Sequence, residues 1–363
     1  SGQSVHTEPK NSMLVFANPQ LSGAASDQLI PSEKDGTIYR PEPGLVNNLN
    51  DTTAEIIYFE PGVYYMGSNY HAVLPENVTW VYLAPGAYVK GAFKFLEGEN
   101  QPSYKVTGYG VLSGEMYVYE PDTTNGYQHN ERDNCHVDCV KMLQFESSNT
   151  GQTLDLHGIT VANPPYHSFV IYAHENGEEI QADLSMTVEG YKQVGAWYWQ
   201  TDGLELYRDS TMKNTFFHSN DDVLKLYHSN VTVDNTVIWK NENGPVVQWG
   251  WTPRDIDNVQ VSDTDIIHNR MYWSDVKTNA CVFNSSSHWE GGDINRGDPA
   301  TTVKNMTFTD TRVEGAVNCA IRVYSLSNLE NITIDGFAID EWNNLPLSAQ
   351  VSLFKRYTDR AGT

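Results

Sequence analysis

Apolar and polar residues alternate over short segments, and the alternating segments recur in units that look alike. Asn230-Val-Thr-Val-Asp-Asn-Thr-Val-Ile-Trp239, Asn258-Val-Gln-Val-Ser-Asp-Thr-Asp-Ile-Ile267 and Asn331-Ile-Thr-Ile-Asp-Gly-Phe-Ala-Ile339 share one plan. Each begins with Asn, places two apolar residues at alternate positions, passes a polar turn and enters a second apolar strand. Thr153-Leu-Asp-Leu-His-Gly-Ile-Thr-Val161 and Asn305-Met-Thr-Phe-Thr-Asp-Thr-Arg-Val313 are shifted versions. A period of two marks half-buried strands, and no long amphipathic helical pattern competes with it. Asn258 follows Asn230 by 28 residues and Asn331 follows Asn305 by 26. Repeats of that length mean a solenoid, and a repeat made of strands makes it a parallel β-helix, each coil hiding its apolar residues against its neighbours. A β-sandwich also has many short strands, but the matching units favour stacked coils, with Asn or aliphatic ladders expected inside.

Residues 1–45 lack the pattern and read as a lead-in or linker; the opening Ser1-Gly2-Gln3-Ser4, with no initiator Met or signal peptide, reads as a processed product. Residues 46–363 read as the solenoid, without an internal boundary. Pro-Gly turns at 61–62 and 85–86 punctuate its first coils. The polar stretches 115–140 and 274–300 read as insertions that project from one face and wall a groove.

Charge narrows the choice of partner. The formal charge is −23, from 23 Lys and Arg against 46 Asp and Glu, which disfavours nucleic acid and anionic polysaccharides such as pectate. A neutral substrate fits. No stretch approaches the roughly 18 apolar residues of a membrane helix. Sequons at Asn77, Asn230, Asn284, Asn305 and Asn331 fit secretion, though Asn and Thr are common in β-helices anyway. Four cysteines are too few for a disulfide scaffold. Cys135 and Cys139 read as a local disulfide or two thiols rather than a metal site, and Cys281 and Cys319 cannot be paired from sequence.

Candidate chemistry lies in Gln200-Thr-Asp-Gly-Leu-Glu-Leu-Tyr207 and Ser219-Asn-Asp-Asp-Val-Leu-Lys-Leu-Tyr227. Asp221 follows Asp202 by 19 residues, about one short coil, which puts them on adjacent rungs about 4.8 Å apart, with Asp222 joining from the same turn. Stacked carboxylates raise the pKa of at least one member, and one protonated acid beside one ionised base is what glycoside hydrolysis requires. An Asp ladder at exposed turns, or a calcium site, is the bland alternative. Gln200, Tyr207, Asn220, Lys225 and Tyr227 surround the aspartates and are candidate substrate contacts. Lys225 is either a partner of a hydroxyl or carboxylate, or a surface lysine. Trp197, Trp199, Trp249 and Trp251 are candidate sugar platforms; alternation puts Trp197 and Trp199 on one face and Tyr198 on the other, one set in the core.

These motifs, with Trp80-Val-Tyr-Leu-Ala-Pro-Gly-Ala-Tyr-Val-Lys-Gly-Ala92, Gly110-Val-Leu-Ser-Gly-Glu115, Tyr191-Lys-Gln-Val-Gly-Ala196 and Gly250-Trp-Thr-Pro-Arg254 in order, resemble glycoside hydrolase family 49, the dextranases and isopullulanase. The resemblance implies a right-handed parallel β-helix, an inverting mechanism and no cofactor or metal. It implies Asp221 as general acid, with Asp202 and Asp222 activating the attacking water. The family also has an N-terminal β-sandwich, and no counterpart to it is expected among residues 1–363. Polygalacturonases share the Asp motifs but continue with Gly-His-Gly and Arg-x-Lys; here Gly244-Pro-Val-Val-Gln-Trp-Gly-Trp251 follows. Trp199, Asn220 and Gln248 match dextranases where isopullulanase has Gly, Asp and Glu. The expectation is therefore a secreted, monomeric endo-hydrolase of the α-1,6-glucan dextran, with no nucleic-acid or membrane partner. An isopullulanase-type or isomalto-oligosaccharide-releasing enzyme, a polygalacturonase-like hydrolase and a non-catalytic carbohydrate-binding solenoid are the alternatives.

Overall fold

The structure is a computed structural model. It describes residues 13–18, 22–67, 72–96, 103–117, 119, 139–147, 151–172, 174–175, 178–179, 184–241, 243–250, 252–269, 281–285, 297–317, 319–342 and 353–356. Most of both polar insertions, and Cys135, lie outside the described residues.

The fold is a parallel β-helix. An 18-stranded sheet pairs coil with coil in parallel register, as in Val231↔Val259, Val259↔Met306 and Met306↔Ile332. A second wall has four strands, from Ala72–Leu74 to Phe169–Tyr172. A six-stranded sheet runs from Leu204–Glu205 to Leu353–Arg356. Among the described residues, His174–Glu175 with Glu178–Glu179 is the antiparallel pair.

Alternation becomes packing directly. In Val231–Lys240, Val231 and Val233 are buried and Thr232 is exposed. Met212, Val233, Val261, Phe308 and Ile334 follow one another in register across five coils. Each buried side chain of this kind contributes roughly 1.5–3 kcal/mol, but only because the next coil covers it. Phe95 and Phe145 stack at 4.5 Å in the same core.

The polar turns have a conformational cause. Asn230 and Asn235, Asn258 and Asp263, and Asn305 and Asp310 all have φ between 51° and 59°, a left-handed conformation that Asn and Asp tolerate better than other side chains. Each pair brackets a four-residue strand segment. The Nδ2 of Asn258 donates to Oδ1 of Asn230, and that of Asn331 to Asn305, both at 3.0 Å. These Asn ladders lie on the exposed surface, not inside as the alternation suggested. They cap bends, and water reaches them.

The expected start of the coils also moves. Ile38 already pairs with Ile56 and Gly44 with Tyr64, so the coils begin inside the segment read as a linker. Helix Ala24–Leu29 packs beside them, its Leu29 carbonyl accepting from Thr107 Oγ1 at 2.8 Å, and Phe16 meets Phe216 edge-on at 5.1 Å. Cys281 and Cys319 form a disulfide, and Cys139 is disulfide-bonded, so its sulfur is not a thiolate ligand.

Candidate active site

The site grows out of two short strands, Leu204–Glu205 and Leu224–Lys225, paired Leu204↔Leu224 and Glu205↔Lys225. Leu204, Leu206, Leu224 and Leu226 point into the core, so Glu205 and Lys225 project outward. The turns entering these strands carry the aspartates. The N–H of Gly203 donates to the Asp222 carbonyl at 2.8 Å, which makes Asp222, not Asp221, the rung partner of Asp202. The 19-residue spacing therefore pointed to the wrong neighbour: Asp221 sits one residue earlier, on the turn.

Glycine is required at two places. A Cβ on Gly203 would fall 2.1 Å from the Val223 carbonyl oxygen, so any side chain there would push the two rungs apart. Gly244, at φ +67°, crosses the turn so closely that a Cβ would lie 2.4 Å from Asp221 Oδ1 and 2.6 Å from Asp222 Oδ1. One glycine thus touches both carboxylates.

The three aspartates have different surroundings. Asp202 is buried; burial alone would raise its pKa, but the charges of His167 and Lys225 and their bonds outweigh it and hold the carboxyl below the usual range. Lys225 Nζ lies 3.0 Å from Asp202 Oδ2, and His167 Nδ1 lies 3.0 Å from Oδ1. Asp221 goes the other way. Burial, then the charges of Asp202 and Asp222, push its carboxyl well above the ordinary value, against Lys240 and the Asp222 N–H. Asp222 is buried, with Tyr227 Oη 3.5 Å from its Oδ2. The surroundings therefore push the carboxyl of Asp221 towards its neutral form and that of Asp202 towards its charged form.

The remaining candidates divide. Lys225 is a buried partner of Asp202, not a surface lysine. Gln200 has φ 63°, and its carbonyl lies 2.9 Å from His167 Nδ1. Its side-chain oxygen accepts from Tyr119. Asn220 is buried, donating to the Trp197 carbonyl at 2.8 Å. Tyr207 is buried, stacked on His228 at 4.6 Å. Arg254 covers the Tyr227 ring at 4.9 Å. Trp197, Tyr198 and Trp199 are all exposed, at 44%, 43% and 59%. The segment is a loop rather than a strand, so alternation does not apply and neither set is core. Trp197 rests edge-on against His218 at 4.4 Å, whose pKa burial pushes down to about 4. Trp249 is not a platform. It is fully buried and stacks on Phe308, because strand Val247–Trp249 turns it inward. Trp251 lies outside the described residues.

Sequence reasoning missed His167, which arrives from another coil with no motif of its own. It also missed Glu205, although the quoted motif contained it between two core leucines. Glu205 lies 3.0 Å from His228 Nε2. Burial would raise its pKa, but the His228 bond and the charges of Lys225, His228 and Arg254 bring it below the ordinary value.

Known proteins resemble this chain over nearly its whole length. A model described as glycosyl hydrolase family 49 matches residues 292–363, and one described as an isopullulanase β-solenoid repeat matches 239–271. A dextranase of Arthrobacter globiformis is 65% identical over 360 residues, covering 99% of this chain and 55% of that protein. An isopullulanase of Aspergillus niger is 37% identical over 351 residues, covering 95% and 60%. The structure of Dex49A from Penicillium minioluteum superposes with a TM-score of 0.79 at 30% identity, covering 91% of this chain and 57% of that one. The chain thus spans little more than half the length of these relatives.

Proposed function

We propose that this chain, which belongs to glycosyl hydrolase family 49, is the catalytic solenoid of an inverting endo-dextranase, cutting α-1,6-glucosidic bonds within dextran. The observation that carries the reading is the opposite tuning of two neighbouring carboxyls, Asp221 upward and Asp202 downward. In this reading protonated Asp221 gives its proton to the glycosidic oxygen as the C1–O bond breaks. Ionised Asp202, with Asp222 beside it, takes a proton from the water that attacks C1 from the opposite face. Lys225 and His167 keep Asp202 charged until that proton arrives. Both products leave neutral, and C1 is inverted.

The exposed Trp197 and Trp199 supply apolar faces for glucose rings. A neutral glucan also suits a chain of charge −23. The disulfide between Cys281 and Cys319 supports an extracellular setting. The 65% identity to a dextranase, against 37% to an isopullulanase, favours dextran over pullulan.

Incubation with dextran, pullulan and polygalacturonate in parallel, followed by reducing-sugar release, tests the assignment. Release from dextran alone is expected. Faster release from pullulan would move the chain to the isopullulanase type, and binding of dextran without release would make it a non-catalytic solenoid.

A further inference from the structure

We propose that Asn243 is the positioning residue of the proton donor Asp221, and that the buried side chain of Lys240 anchors the loop presenting it. The inference rests on the general-acid role given to Asp221 above.

Strand Val231–Lys240 ends with Lys240 in register with Ser219, two residues before Asp221. Lys240 does not point to solvent. Its side chain is fully buried, and its Nζ donates to the Asn241 carbonyl at 3.2 Å and to the Asn243 carbonyl. A desolvated ammonium holds such carbonyls more strongly than a neutral donor, so the loop following the strand is tied at two points to one charge. That loop faces the aspartates. The Asn243 N–H donates to Asn220 Oδ1 at 3.2 Å, and its Nδ2 donates to Asp221 Oδ2 at 2.7 Å. The other oxygen, Oδ1, accepts from the Asp222 N–H at 2.9 Å. With both oxygens held, the plane of the carboxyl is fixed. Each oxygen keeps a second lone pair, so the group can carry a transferable proton while both bonds persist. Gly244 then packs directly on the carboxylates, leaving the loop little freedom to retreat.

The charged groups facing Asp221 are Asp202 on the preceding rung, Asp222 on its own turn and Lys240 on the following one. The Asn243 amide is neutral, and it donates. Its loss removes a bond that favours the charged carboxylate, so the proton is held more tightly. A general acid works only while protonated, so the basic limb of the rate profile moves to higher pH.

The test compares wild type, Asn243→Ala, Lys240→Met and Asp221→Asn in the full chain. Each is assayed across pH on dextran and on an aryl isomaltoside whose leaving group needs no protonation. For Asn243→Ala, kcat on dextran falls by roughly tenfold or more, since displacement of a catalytic group by about 1 Å can cost a hundredfold. KM stays within roughly twofold, because the bond matters only in the transition state. The basic limb rises, and the deficit shrinks on the aryl glycoside. Where Lys240→Met fails to fold, Asn243→Ala, at a partly exposed site, decides alone. A folded Asn243→Ala with wild-type kcat and an unmoved basic limb overturns the inference, as does equal loss on both substrates. Wild-type turnover by Asp221→Asn would instead overturn the acid assignment, and the inference with it.

Discussion

Lys225→Met tests how Asp202 is kept ionised. The two side chains are buried and 3.0 Å apart, and Met replaces the lysine stem at similar volume while removing the charge. Breaking one side of a buried pair costs about 3–5 kcal/mol, because the other charge is left desolvated. The lower end applies here, since His167 remains 3.0 Å from the other oxygen. The carboxyl can also take up a proton instead. That alternative makes the cost depend on pH. In the wild type the folded pKa of Asp202 lies below the usual carboxylate value, so its stabilising contribution is present above about pH 4 and is lost as pH falls through the depressed value. In the variant the folded pKa rises, so the penalty is largest at neutral pH and shrinks as pH approaches about 4. Under the proposed mechanism the acid limb of dextran hydrolysis should move upward as well, because Asp202 as the water-activating base must be charged. Chemical denaturation at pH 7 and pH 4, with initial rates across the same range, reads both effects. An equal loss of stability at both pH values, or an acid limb that stays in place, would refute the reasoning.

Asp221→Asn should lose roughly 10²–10⁴ in turnover, the usual worth of general-acid help. The same variant should become more stable than wild type as pH rises above about 4, because a carboxyl whose folded pKa is raised opposes folding once the unfolded chain has ionised; denaturant midpoints at pH 4 and pH 8 measure the difference. Gly244→Ala should cost about 1–3 kcal/mol from overpacking and lower kcat, since the new Cβ displaces two carboxylates; an active, fully stable variant would show that the turn is not packed as described. Trp249→Ala should lose about 3–5 kcal/mol from the core, whereas Trp199→Ala should shift stability by no more than about 0.5 kcal/mol and raise KM for dextran, as melts and kinetics on the pair will reveal.

The stacked coils were legible because alternation and repetition are both local signals. Val231, Thr232 and Val233 declare a half-buried strand, and Asn230 and Asn258 declare the repeat. The Asn ladders were misplaced because sequence gives a turn residue no inside or outside; a left-handed φ and a neighbour one coil away decide it. The three aspartates stand out in the sequence because two similar motifs carry them. Their register was misjudged because one residue of turn, invisible in spacing, makes Asp222 the rung partner of Asp202. Trp249 and Trp199 look alike as letters, yet a strand turns one into the core and a loop leaves the other in solvent. His167, Lys240 and Asn243 had no motif at all. His167 and Asn243 meet the aspartates through contacts between coils, which exist only once the chain has wound, and Lys240 is turned inward onto the loop that follows its own strand.

The anomeric configuration of the first-formed product tests the central claim most directly. Acid and base acting from opposite faces of the sugar give inversion. Proton NMR of fresh product from wild-type enzyme and dextran should therefore show the β-anomer first, with the α signal growing by mutarotation. An α-anomer signal at the earliest times would mean retention, and would contradict the roles assigned to Asp221, Asp202 and Asp222.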